Sequence, residues 1–143
     1  MDMNYFRSQR FKDIAGTAAA LIIAITSLAA AIYHVYVVLD LKQNGSTVDA
    51  RVIDIERGAR NSKWAVYDYT TEGGQQTVAR DIFQQYIKRV RKGQDVRVIY
   101  LDREVKTVTA DLGVWIWQAP AIFFCGFLIL AVIAFFIWRA RST

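Results

Sequence analysis

The stretch IAGTAAALIIAITSLAAAIYHVYVVL, Ile14 to Leu39, decides the fold: 26 residues without an Asp, Glu, Lys or Arg. At about 1.5 Å of rise per residue, a helix of that length reaches roughly 39 Å, against about 30 Å of hydrocarbon in a bilayer. A second stretch, LGVWIWQAPAIFFCGFLILAVIAFFIW, runs from Leu112 to Trp138 and is uncharged over 27 residues. Each is long enough to cross a membrane with some tilt. A chain of 143 residues has no further core able to enclose two such helices. The expected fold is therefore a membrane α+β protein. Spans 14–39 and 112–138 form an antiparallel hairpin, and residues 40–111 form a small extramembrane domain between them.

Composition agrees with this division. Hydrophobic residues are 54% of the chain, yet its net charge is +5, so charge and apolarity occupy separate blocks. Tyr33 and Tyr36 lie near the end of the first span, Trp115 and Trp117 at the start of the second, and Trp138 at its close. Rings with an apolar body and a polar tip favour headgroup depth, so these five are the expected interface aromatics. Arg7, Arg10 and Lys12, followed by an apolar run containing Ala29-Ala30-Ala31, also fit a cleavable leader. The run continues through Leu39, too long for a leader core, and the segment is expected to be retained. The tails 1–13 and 139–143 carry five Lys/Arg against two Asp, a net +3; residues 40–111 carry 13 Lys/Arg against 11 Asp/Glu, a net +2. Short basic flanks outvote a long loop, which predicts cytoplasmic termini and an extracytoplasmic middle domain.

Small residues recur along the first span at Gly16, Ala20, Ala24, Ser27, Ala31 and His34. At 100° per residue they fall within about 80° of one another, a stripe that lets two backbones approach. The second span offers Gln118, Ala121 and Cys125 on one side as the expected counterpart. His34 lies six residues before Asp40 and Gln118 six after Leu112, so in a hairpin they share a depth. They are expected either to meet, directly or through water, or each to reach headgroup water.

The middle segment reads as short strands. Val48, Ala50 and Val52 alternate with charged residues; Trp64 to Thr70 is aromatic and β-branched; Gly73-Gly74 marks a turn; Gln76 to Arg80 returns as its partner. Val96, Val98 and Tyr100 alternate again, and Val105 to Ala110 leads into the second span. Ile82, Phe83, Tyr86, Ile87 and Val90 recur at helical spacing, with Asp81 placed to cap and Gly93 to stop, which predicts a short amphipathic helix over 81–92. Four or five antiparallel strands curled like a barrel, with that helix over one side, would close the sheet edges.

The order of these motifs resembles a widespread bacterial membrane family known as domain of unknown function three-five-nine-two. Its pattern of span, β-rich insert and span is matched over roughly residues 15–138. Gly45 with Ala50-Arg51-Val52, then Tyr67-Asp68-Tyr69 with Gly73, then Gly93 with Val96, Val98, Tyr100 and Asp102 follow the family's order. Arg103-Glu104-Val105 stands where prolines are common in that family. The resemblance implies the two-span layout and a bacterial inner-membrane location, and brings no catalytic residues with it.

The middle domain contains no His and no Cys, which excludes a Ser-His-Asp or Cys-His arrangement there. One Cys in the chain excludes an internal disulfide and a multi-Cys metal site. Asp54 and Glu56 are an i, i+2 carboxylate pair that suits either acid–base work or a solvated edge. Lys88, Arg89, Arg91 and Lys92 form a basic cluster suited to a solvated helix end, to anionic headgroups or to an acidic partner. Tyr67, Tyr69, Tyr86 and Tyr100 suit core packing or base stacking, and a net charge of only +2 argues against nucleic acid. The expectation is a non-catalytic interaction or accessory subunit of a membrane complex, needing no cofactor. Its expected partners are the lipid bilayer and a protein partner or further copies of itself. The alternative is an oligomeric effector or channel, which the scarcity of polar positions in both spans disfavours.

Overall fold

The computed structural model describes residues 3–142, so residues 1, 2 and 143 of the two expected tails lie outside the described residues. The chain order is helix α1 (Met3–Asn44), strands β1 (Gly45–Arg57), β2 (Lys63–Thr70), β3 (Gln76–Arg80), β4 (Asp95–Leu101) and β5 (Glu104–Ala110), a 3-10 turn (Gly113–Trp117), and helix α2 (Gln118–Ser142). Both helices are long and apolar enough to cross a membrane. Two compact units result, one of residues 1–33 with 120–143 and one of residues 34–119.

In the helical unit, Arg141 near the end of α2 donates to Thr17 Oγ1 at 3.0 Å and to the Asp13 carbonyl at 3.0 Å, with the Asp13 carboxylate 3.8 Å away. The helices are therefore antiparallel here. The expected stripe on α1 is real in its middle: Ala24 and Ala31 are buried, and Ala20 and Ser27 are half-buried. Gly16 departs from it, being exposed, with open space where a Cβ would project. On α2 the expected face is wrong. Ala121 and Cys125 are exposed, and the covered positions are Ile122, Phe123, Gly126, Phe127 and Leu130. Small size was the guide to both faces, but the half-buried positions of α2 mix Ile122, Phe123, Phe127 and Leu130 with Gly126, Ala131 and Ala134. Large side chains beside small ones fill space without requiring small residues on both helices.

The sheet unit begins inside α1. Residues 40–44, expected in the β domain, are still helical, because Asp40, Lys42 and Asn44 are polar without being helix breakers. The Asn44 amide donates to Asp40 Oδ1 at 2.8 Å, an i, i+4 link. The second apolar stretch likewise opens with the 3-10 turn, and α2 proper starts at Gln118, with Pro120 in its first turn, where a missing N–H costs least.

The five strands form one antiparallel sheet in the order β3-β2-β1-β4-β5. It curls as a half-barrel, bringing the β3 and β5 edges together at one end, where Ile82 N, just past β3, donates to the Val108 carbonyl at 3.0 Å. A bulge between Val52 and Asp54 bends β1 to serve both β2 and β4. Ala50, Val52, Ala65, Tyr67, Tyr69, Val98, Tyr100 and Val108 fill the concave face. The second half of β4, Val98 to Leu101, is buried on both sides, for the outward Ile99 and Leu101 pack with Val38 and Leu41 of α1, with Phe83, and with Ile116 and Ala119. Val38 and Leu41 are 0% exposed. Arg103 pairs with Asp40, and Lys42 lies 5.9 Å over the Trp117 ring, so polar contacts frame this second cluster.

The switch from α1 to β1 takes place without a linker. A Cβ on Gly45 would lie 2.3 Å from the Leu41 carbonyl and 2.6 Å from Ile99 Cγ2. We expect Gly45→Ala to destabilise the fold by about 1–3 kcal/mol, since backbone and core must both shift to admit one methyl. Thermal unfolding in mild detergent, read by circular dichroism, will measure it; an unchanged midpoint would contradict the tight junction.

Candidate functional site

The segment 81–94, between β3 and β4, carries most of the chain's unassigned chemistry. It is an irregular loop, and the amphipathic helix expected over 81–92 is absent. The reason lies in where its apolar residues go. Phe83 joins the cluster outside β4, Val90 joins the concave core, and Ile87 is 66% exposed, so the helical spacing marks no single face. The backbone donors are met from elsewhere. Asp81 N donates to the Ala65 carbonyl at 2.7 Å, Gln85 N to the Lys63 carbonyl at 2.8 Å, and Gly93 N to the Val52 carbonyl at 2.7 Å. Gly93 has φ +84°, so it forms a turn in the left-handed region instead of stopping a helix.

Two side chains anchor the loop. Asp81 is buried; its Oδ1 accepts from Phe83 N at 2.8 Å and its Oδ2 from the Tyr67 hydroxyl at 2.5 Å. Burial is the largest influence on it and lifts its carboxyl to about 6, while the bonds from Tyr67 and Phe83 pull the other way. Burial beside that carboxylate pushes the Tyr67 hydroxyl up. Gln118, the first residue of α2, is the second anchor: its Oε1 accepts from both Ile87 N and Lys88 N at 3.0 Å, and its Nε2 donates to the Lys88 carbonyl at 3.4 Å. Gln118 serves the loop backbone, and the His34 ring lies 5.4 Å from the Phe83 ring. Gln118 and the His34 ring thus both lie against residues of the loop.

The basic cluster lies in the second half of this loop. Lys88, Arg89, Arg91 and Lys92 are all exposed. Through the Gln85–Lys63 backbone bond they meet a second basic segment that sequence reading passed over: the β1–β2 turn with Arg57, Arg60 and Lys63. Its signal was present as three cations within seven residues, but nothing in the sequence joins it to residues 88–92. A groove lies between the two segments, lined by Arg57, Lys63, Arg89, Arg91 and Lys92, with Ile55, Gln85 and Val90. Gln85 Nε2 is buried with no hydrogen-bond partner among the described residues.

The remaining candidates are placed as follows. Tyr33, Tyr36, Trp115 and Trp138 are exposed, and Trp117 is half-buried under Lys42. Tyr67, Tyr69 and Tyr100 are core residues: the Tyr69 hydroxyl donates to the Val105 carbonyl, Tyr100 accepts from Glu72 N at 2.9 Å, and burial pushes the Tyr69 hydroxyl up to about 12. Of the carboxylate pair, Glu56 binds Arg80 at 3.3 Å, and Asp54 Oδ1 accepts from Ile55 N at 2.8 Å. Among the described residues no three His, Cys, Asp or Glu side chains converge as a metal site would require. No family model, curated protein or solved structure matches this chain.

The anchors generate two predictions. Between about pH 4 and 6 the folded chain keeps the Asp81 proton that the unfolded chain has released, so stability falls as pH rises, by up to about 3 kcal/mol. Asp81→Asn removes that slope. Tyr67→Phe, by taking away a bond to the carboxylate, moves the slope to higher pH and costs about 1.5–3 kcal/mol at pH 7. Urea unfolding across this pH range tests both, and an unaltered slope in Asp81→Asn would overturn the assignment. Gln118→Ala is expected to speed hydrogen exchange at the Ile87 and Lys88 amides, with the β2 amides unchanged.

Proposed function

We propose that this chain is an integral, two-span protein of the bacterial inner membrane. Its β domain lies outside the cytoplasm and acts as a non-catalytic docking module of a larger membrane or envelope assembly. The observation that carries the membrane reading is the apolar surface of both helices. Ile22, Ile25 and Ile32 on α1, and Ile129, Val132 and Phe136 on α2, are exposed side by side with others of their kind. A monomer in water seldom presents so much contiguous apolar surface, whereas lipid covers it without cost. Exposed Tyr33, Tyr36, Trp115 and Trp138 near the ends of the apolar stretches support the same reading.

Cytoplasmic termini follow from Arg7, Arg10, Lys12, Arg139 and Arg141 at the span ends. The docking role is supported by the character of the sheet unit. Its Asp40, Asp49, Glu56 and Asp81 carboxylates are engaged by Arg103, Arg97, Arg80 and Tyr67, and its distinctive surface is a cationic groove with the exposed Ile87 in the same loop. The family resemblance is compatible with this role: Gly45, the Ala50-Arg51-Val52 run, Tyr67, Tyr69 and Gly93 hold the junction, concave core and loop turn.

Alkaline carbonate washing of native membranes, followed by trypsin treatment of spheroplasts, tests the reading. The intact chain is expected in the carbonate pellet. Trypsin added outside should cleave between residues 40 and 111, with Arg60 and Arg91 as accessible sites, and leave the terminal tails intact. Release by carbonate would overturn the membrane reading; tail cleavage in sealed cells would overturn the orientation.

A further inference from the structure

The turn after β1 and the end of the 81–94 loop gather like charges around one groove of about 460 Å³. Arg57, Lys63, Arg89, Arg91 and Lys92 line it with no carboxylate among the lining residues, and none of the five forms an ion pair among the described residues. Elsewhere on this sheet unit Arg80, Arg97 and Arg103 pair with acids, while Arg51, Arg60, Lys88 and Lys106 form no ion pair among the described residues but stand apart from one another in no shared groove of like charge. Holding five cations around one concavity raises the free energy of the fold, and a bound anion would relieve it.

The chemistry of the anion follows from what lies beside the groove. The loop is bonded at Ile87 and Lys88 to Gln118, and Ala119 next in the chain opens the apolar run of α2. Ile87 is 66% exposed directly before Lys88, and Val114 is 77% exposed shortly before Gln118. An exposed aliphatic side chain, Ile87, next to Lys88 and Arg89 in a loop bonded to the first residue of an apolar helix suits the layer where acyl chains meet phosphates. A nucleic acid fits less well. The rings that would stack on bases, Tyr67, Tyr69 and Tyr100, are buried inside the sheet. An acidic protein face accounts for the cations but leaves the exposed Ile87 unexplained.

We propose that this groove binds the phosphodiester headgroup of an anionic phospholipid, with Arg89 and Arg91 as forked donors to the phosphate. The inference rests on the membrane reading above and adds a lipid specificity to it. A built headgroup site fixes the β domain on the bilayer surface and makes its docking depend on lipid composition.

Native mass spectrometry of the full chain in mild detergent, offered equal amounts of phosphatidylglycerol and phosphatidylcholine, tests it. One engaged cation is worth about 1 kcal/mol near an anionic surface, so phosphatidylglycerol should be retained at least about fivefold over phosphatidylcholine. The variant Lys63→Gln/Arg89→Gln/Arg91→Gln/Lys92→Gln should retain the two equally. Arg89→Lys/Arg91→Lys should keep a reduced preference, and the tail variant Arg7→Gln/Arg10→Gln/Lys12→Gln the full one. Equal retention by the unaltered chain overturns the proposal, as does a preference that the groove variant leaves intact. A single-stranded oligonucleotide or a Glu-rich peptide that binds through these same residues while lipid retention is equal also overturns it. A chain that stays dispersed without detergent and retains no lipid overturns the membrane reading as well, whereas equal retention by a chain that needs detergent overturns only the lipid site.

Discussion

The packing of Val38 and Leu41 against Ile99 and Leu101 is the contact on which the sheet unit depends. Fully buried on the last turns of α1, these two side chains give β4 a covering on its outer face, while Val98 and Tyr100 cover the inner one. A sheet of five short strands has little core of its own, and fixing its central region from both faces supplies what size does not. The absence of a linker at Gly45 follows: β1 can begin only where Leu41 leaves it, and the Asp40–Arg103 pair closes the β4–β5 hairpin onto the same turn of helix.

The 81–94 loop is held in a different way. Apolar packing anchors it at Phe83 and Val90, in two separate clusters, and hydrogen-bond acceptors fix the backbone between them. Asp81 and Gln118 each accept more than one donor, so each does the work that a regular element would do with its own carbonyls. A loop satisfied by side chains can hold a conformation that no repeating structure offers. This one sets Arg89, Arg91 and Lys92 opposite Arg57 and Lys63.

Much of this architecture was legible in the residues, and the parts that were not share a cause. The two uncharged runs marked the helices, since nothing else requires 26 residues without charge. Alternation at Val48-Ala50-Val52 and the turn at Gly73-Gly74 marked strands because each is a local property. The 81–92 helix failed because the spacing of Phe83 and Val90 says that both are buried without saying that they are buried in different places. Ala121, Cys125 and Gly16 failed because small size alone does not choose a helix face: all three are exposed. The groove was half visible. The 88–92 cluster is local, but its union with Arg57 and Lys63 depends on a backbone bond between Gln85 and Lys63, which only the fold creates.

The proposal that lipid surrounds α1 and α2 bears most of the weight, and the chain carries its own probe. Cys125 is the sole cysteine, exposed on α2 and about 10 Å along the helix from Gln118. A nitroxide attached there, in protein reconstituted into vesicles, reports its solvent through relaxation by oxygen, which partitions into hydrocarbon, and by a water-soluble nickel chelate. The account predicts strong relaxation by oxygen and almost none by nickel. Relaxation dominated by nickel would place Cys125 in water and contradict it.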